Sequence, residues 1–159
     1  MKISLNWLSD FIDLNDNICS DLGTGAGLPG VVLAIMMKNL NKSMKFKLYE
    51  KSHLKSAFLR DVTRKLNLNI EIVEGDIFKK INLRSDTVIG RAFKPLPVVL
   101  ELMNKNFVNY KNLILFMGKN GKQTLKDAFK DWKFEYKEKM SLTSDDSFLI
   151  KIKNIKKKN

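Results

Sequence analysis

One cysteine and one histidine stand among the 159 residues of this chain. Cys19 has no partner for an internal disulfide, and His53 cannot complete a zinc site with it, so a disulfide scaffold and a Cys/His metal centre are both excluded. No structural metal is expected. Long apolar runs are missing too: none approaches the roughly twenty residues that cross a bilayer. The opening Met1-Lys2-Ile3-Ser4 lacks the apolar core of a secretory signal. The expectation is a cytosolic protein with no membrane partner.

Acidic residues are scarce. Asp and Glu number 17 against 29 Lys and Arg, a net charge of +12, which is the electrostatic footprint of a protein that approaches a polyanion, with RNA the natural candidate. Most lysines are spread along the chain. Only Lys151, Lys153, Lys156, Lys157 and Lys158 are concentrated, so residues 155–159 read as a basic tail behind one domain spanning 1–154. With 44% hydrophobic residues the chain suffices for one core and is short for two domains. Nothing in the pattern assigns an oligomeric state.

What is present is an alternation of strand and helix signals. Leu5, Leu8, Phe11 and Ile12 repeat with helical spacing ahead of a first strand at Ile18-Cys19-Ser20-Asp21-Leu22. A helix follows to about Lys38, then a second strand, Met44 to Glu50. Leu54, Phe58, Val62 and Leu66 recur at intervals of four, predicting a helix with that stripe as its apolar face and Lys55, Arg60, Arg64 and Lys65 off it. A third strand is expected over Asn69–Val73, a fourth over Asp86–Gly90, a helix through Leu96, Val99, Leu100, Leu102 and Met103, and a fifth, doubly buried strand over Leu113–Met117. After a helix through Leu125, Ala128 and Phe129, the alternations at Trp132, Phe134, Tyr136 and at Phe148, Ile150, Ile152 predict a closing antiparallel hairpin. The fold class is α/β, a doubly wound, mostly parallel sheet that takes ligands at its strand carboxyl ends.

The densest local signal is Asp21-Leu22-Gly23-Thr24-Gly25-Ala26-Gly27-Leu28-Pro29-Gly30, between the first strand and its helix. Four glycines in eight residues let the backbone take positive φ and approach a ligand, and Pro29 suits a helix start. Glu50 ends the next strand, where a carboxylate can accept both hydroxyls of an adenosine ribose. Gly25 to Gly30 formally satisfies the dinucleotide fingerprint, so a nicotinamide enzyme has to be weighed. Its pyrophosphate would need the N–H that Pro29 lacks, and little chain remains for a substrate domain. Asp21, just before the glycines, suits the sulfonium of S-adenosylmethionine, and the spacing favours that methyl donor.

The glycine segment, Lys55-Ser56-Ala57-Phe58-Leu59-Arg60 and Gly90-Arg91-Ala92-Phe93-Lys94-Pro95-Leu96 together resemble the RsmG/GidB family, also called glucose-inhibited division protein B, from about Leu5 to Lys153. The resemblance implies a class I methyltransferase fold and transfer of a methyl group from S-adenosylmethionine to guanine N7 in 16S ribosomal RNA of the small ribosomal subunit. It implies cofactor contacts at Gly23, Leu28, Ile77, Phe78 and Arg91, beside Asp21, Gly25 and Glu50 read from the glycine turn and second strand. Ile77 and Phe78 supply an apolar wall for adenine. Arg91 can hold either a cofactor carboxylate or an RNA phosphate, and Arg91 and Lys119 are the substrate-positioning candidates. Guanine N7 carries a free lone pair, so no general base is needed and none is assigned; His53 reads as a surface residue and Cys19 as core. The chain departs from the family in a shortened region before the first strand, in Gly90, and in the order Gly118-Lys119. A fold kept for binding without catalysis, and a nicotinamide-binding protein, stand as alternatives.

Overall fold

The computed structural model describes residues 12–141, 144 and 146–158. Among these, β1 (Ile18–Leu22), β2 (Lys45–Glu50), β3 (Ile70–Glu74), β5 (Thr87–Arg91), β7 (Asn112–Met117), β8 (Trp132–Met140) and β9 (Phe148–Lys157) build one sheet, ordered β3-β2-β1-β5-β7-β9-β8. The first five strands in that order pair in parallel, and β9 and β8 close the sheet antiparallel. The chain winds outward from β1 to β3 and then returns to lay β5 on the other side of β1. That reversal opens a crevice at the strand carboxyl ends. The class I methyltransferase architecture expected from the sequence is what is observed.

Helix α1 (Gly30–Asn39) buries Val31, Leu33, Ala34 and Met37, and α2 is His53–Lys65. On the opposite face lie α3 (Leu96–Asn106) and α4 (Gly121–Asp131). A core thus sits on each side of the sheet, one around Leu33, Phe46, Leu48, Leu59 and Ile114, the other around Leu100, Met103, Leu113, Ile150 and Ile152.

Three features differ from the sequence reading. Leu54, Phe58 and Leu66 are 82%, 52% and 44% exposed, and α2 instead buries Ser56 and Leu59. Val62 of that stripe is half-buried and packs against the core, whereas Leu59, outside the stripe, is fully buried in the core with Phe46 and Leu48 and beside Gly27 of the glycine turn, so the inward face is centred on Leu59. Two short strands, β4 (Leu83–Arg84) and β6 (Phe107–Asn109), pair in parallel as a separate ribbon; at two and three residues they are too brief to show a periodicity. β9 runs to Lys157, so the start of the basic segment is strand, with Lys156 opposite Lys133 and Lys157 opposite Trp132. The helical repeat at Leu5, Leu8 and Phe11 lies outside the described residues. No helix among the described residues is long and apolar enough to cross a membrane.

Candidate functional site

The glycine turn leaves β1 at Leu22 and is pinned from below and from the side. Asp21, fully buried, accepts on Oδ2 from Thr24 Oγ1 at 2.6 Å and from Gly30 N at 2.9 Å. A side chain at Gly30 would press on Asp21 and Leu48, which is why a residue without Cβ opens α1. Glu50 holds the other edge, accepting from Gly25 N at 3.0 Å on Oε2 and from Ser52 N at 2.8 Å on Oε1. Thr24 N donates to Tyr49 O at 3.1 Å, so the turn is laced to the end of β2. Gly23 and Gly25 both have φ of +61°.

Burial pushes the Asp21 carboxyl up to about 7, against the opposing effects of its bonds from Thr24 and Gly30 and the charge of Arg91. Its Oδ1 has no hydrogen-bond partner. The turn is therefore held by a carboxyl that is costly to ionise where it sits.

After β3 the chain passes Gly75 into a 3₁₀ turn, Ile77–Lys79, in which Asp76 Oδ1 accepts from Phe78 N at 3.0 Å. Asn106, at the end of α3, donates through Nδ2 to Phe78 O at 3.2 Å and to Lys80 O at 2.6 Å. Ile77 is buried and Phe78 is partly open, its ring stacked at 6.0 Å and 13° on Phe93.

These segments enclose a cavity of about 320 Å³ walled by Gly23, Gly25, Tyr49, Glu50, Asp76, Ile77, Phe78 and Phe93, with Lys51, Lys55 and Lys94. Its size lies within the ~300–1,000 Å³ of small-molecule sites. A second cavity, of about 360 Å³, opens beside it at the ends of β5 and β7, with Val99, Leu115 and Met117 among its apolar walls and Lys94, Lys119, Asn120 and Thr124 among its polar ones. The two share Ala92, Phe93 and Lys94. Phe93 is thus the partition.

Of the residues expected from the sequence, Gly23, Gly25, Glu50, Ile77 and Phe78 meet in the first cavity, and Asp21 lies beneath it as the clasp of the turn. Lys119 is in the wall of the second. Leu28 and Arg91 are exposed and are in the wall of neither cavity. His53 sits at the start of α2, its Nδ1 at 2.9 Å from Glu74 Oε1, and Cys19 is fully buried in β1. The sequence alone assigns a role to Lys119 but none to Phe93, Asn106, Lys51, Lys55 or Lys94. Phe93 was within reach, inside a motif already singled out; Asn106 stands 28 residues from Phe78 and gives no local signal.

The cavity suits an adenosyl group. Backbone with positive φ can approach a ligand closely, Glu50 keeps lone pairs beyond its two backbone bonds, and an aliphatic and an aromatic side chain wall the far end.

Comparison with known proteins gives the family and the fold. The family model GidB, rRNA small subunit methyltransferase G, matches residues 4–149. The chain is 53% identical over 150 residues to the Ribosomal RNA small subunit methyltransferase G of Pelagibacter ubique, covering 94% of this chain and 70% of that protein. It is 32% identical over 145 residues to the protein of the same name from Dinoroseobacter shibae, covering 91% and 74%. Among solved structures, a SAM dependent methyltransferase from Aquifex aeolicus superposes with a TM-score of 0.67 at 16% identity, covering 92% of this chain and 87% of that one. The tRNA methyltransferase TrmK of B. subtilis superposes at 0.64 and 15%, covering 95% and 65%. At those identities the likeness is one of fold.

Proposed function

The chain belongs to the GidB family, the rRNA small subunit methyltransferases G, and from that premise we propose that it transfers a methyl group from S-adenosylmethionine to guanine N7 of 16S ribosomal RNA. The observation that carries the reading is the meeting of Glu50, Gly23 and Ile77 in one cavity at the carboxyl ends of β2, β1 and β3. Bound there, S-adenosylmethionine supplies an electrophilic methyl group on a sulfonium.

The residues of the chain hold and aim. Glu50 is already oriented by Gly25 N and Ser52 N, so its free lone pairs accept the ribose hydroxyls without first being ordered. Ile77 and Phe78 take the adenine, and Asn106 keeps their loop in place. The second cavity receives the base. Its apolar walls exclude water, and Lys119 at its rim meets the RNA backbone. N7 bears no proton in neutral guanine, so alignment of its lone pair with the methyl group carries the reaction without a general base. Arg91, exposed and one residue from the shared wall, takes a carboxylate of the donor or a phosphate of the RNA.

The test is transfer of labelled methyl groups into small ribosomal subunits that lack the modification, alongside naked 16S RNA. Label at guanine N7 is expected. Cofactor binding with no label in either substrate would overturn the reading.

A further inference from the structure

Four lysines stand around the two cavities with no carboxylate paired to them among the described residues. Lys51, Lys55 and Lys94 line the first, and Lys94 and Lys119 line the second. All four are exposed, and none makes an ion pair among the described residues, in contrast to Lys45 with Glu71, Lys105 with Glu101, Lys111 with Asp16 and Lys130 with Asp127.

Their charge is wrong for the ligand of the first cavity. S-adenosylmethionine carries a sulfonium and an ammonium against one carboxylate, a net positive charge, so three ammonium groups at its rim repel more than they attract. One could serve the carboxylate; the others need a separate anion. The row also extends past that cavity, from the end of β2 across to the loop after β7. With β1 and β5 lying between, the span is about 14 Å at ~4.8 Å per strand, room for about four nucleotides at the ~3.4 Å rise of a stacked strand. Beside Lys55 on α2, Leu54 and Phe58 are 82% and 52% exposed. Free lysines next to an exposed aromatic ring are the makings of a single-stranded RNA surface, the cations taking phosphates and the ring a base face.

Resting on the methyltransferase reading, we propose that Lys51, Lys55, Lys94 and Lys119 form a phosphate track along which single-stranded RNA lies across both cavity mouths, covering the bound cofactor. Cofactor then enters before RNA, and RNA delays its escape.

The experiment follows release of bound S-adenosylhomocysteine in a stopped-flow chase, with and without an unmodified 16S RNA fragment, at several salt concentrations. RNA is expected to slow release at least tenfold at low salt. Lys51→Gln/Lys55→Gln and Lys94→Gln are expected to lose the delay, each measured against its own release rate without RNA, and to lower the salt slope of RNA affinity by about 0.7 per lysine. The corresponding arginine variants should restore both. If the wild type methylates 16S RNA but RNA leaves release unchanged, or the Gln variants keep the full salt slope, the track is wrong and the function stands. If polyglutamate delays release as RNA does and the RNA slope is unaltered, the surface serves an acidic protein and the proposal fails. A wild type that neither binds the cofactor nor methylates RNA refutes the underlying reading instead.

Discussion

The ring of Phe93 occupies the space that a β-carbon on Gly23 would need. One residue belongs to the first turn of the fold and the other to the loop after β5, and their contact closes the floor between the two cavities. Gly23 is required on two counts, a φ of +61° that disfavours other residues and the close approach of an aromatic side chain. Gly23→Ala is therefore expected to lose about 1–2 kcal/mol to backbone strain alone and to weaken S-adenosylmethionine binding further by displacing Phe93. Calorimetry on Gly23→Ala, Phe93→Ala and the double variant checks this. The cycle should show a coupling of at least ~0.5 kcal/mol; strict additivity would mean that the two residues act independently.

Glu50→Gln replaces one acceptor oxygen by an NH₂ group, which then faces either Gly25 N or Ser52 N. The turn loses an anchor and the ribose loses a charged acceptor. Affinity for S-adenosylmethionine should fall by roughly 1–3 kcal/mol, read as about a five- to 160-fold rise in Kd, with far-UV circular dichroism unchanged.

Asp21 titrates near 7 in the folded chain because burial disfavours its charge, while the unfolded side chain ionises near 3.9. Between these values the folded form holds a proton that the unfolded form has released. Its contribution to stability is thus fully present below about pH 4 and is lost as pH rises toward 7. Asp21→Asn removes the titration. The stability of the wild type relative to this variant should decline with pH across that interval, by at most about 1.4 kcal/mol per pH unit. Urea unfolding of both proteins at pH 4.5, 5.5, 6.5 and 7.5 measures it, and a constant gap would show that Asp21 is ionised throughout.

On α2, Leu59→Ala should cost about 2–5 kcal/mol, because Leu59 is fully buried. Leu54→Ala and Phe58→Ala should each change stability by under about 0.5 kcal/mol, being exposed. Denaturant midpoints decide. A large loss at Leu54 would mean that the stripe read from the sequence is the packed face after all.

Arg91 and Lys119 separate by what each loss impairs. If both position RNA, Arg91→Ala and Lys119→Ala cut single-turnover methyl transfer while leaving the Kd for S-adenosylmethionine within about twofold, with Arg91 the worse because a guanidinium can hold two oxygens at once. A rise in that Kd for Arg91→Ala places the guanidinium on the donor's carboxylate. Full activity in both variants removes them from the site.

The strand–glycine turn–helix unit and the carboxylate at the end of β2 were legible in the residues because their causes are local. Backbone with positive φ demands glycine within a few positions, and a buried parallel strand must be apolar along its length. From these the sheet, its closing hairpin and the meeting of Gly23 with Glu50 follow. The inward side of α2 did not follow, since Leu54 and Leu59 are equally apolar, and packing against other elements, the sheet core and the glycine turn, chooses between them. Phe93 over Gly23, Asn106 beneath Phe78, and the shared wall of two cavities likewise join residues far apart in the chain. Composition could register an excess of lysine but not which lysines are left unpaired. Helix spacing alone gives Lys105 and Lys130 their carboxylates at i−4 and i−3, but tertiary packing decided the rest, bringing carboxylates to Lys45 and Lys111 and none to Lys51, Lys55, Lys94 or Lys119 among the described residues.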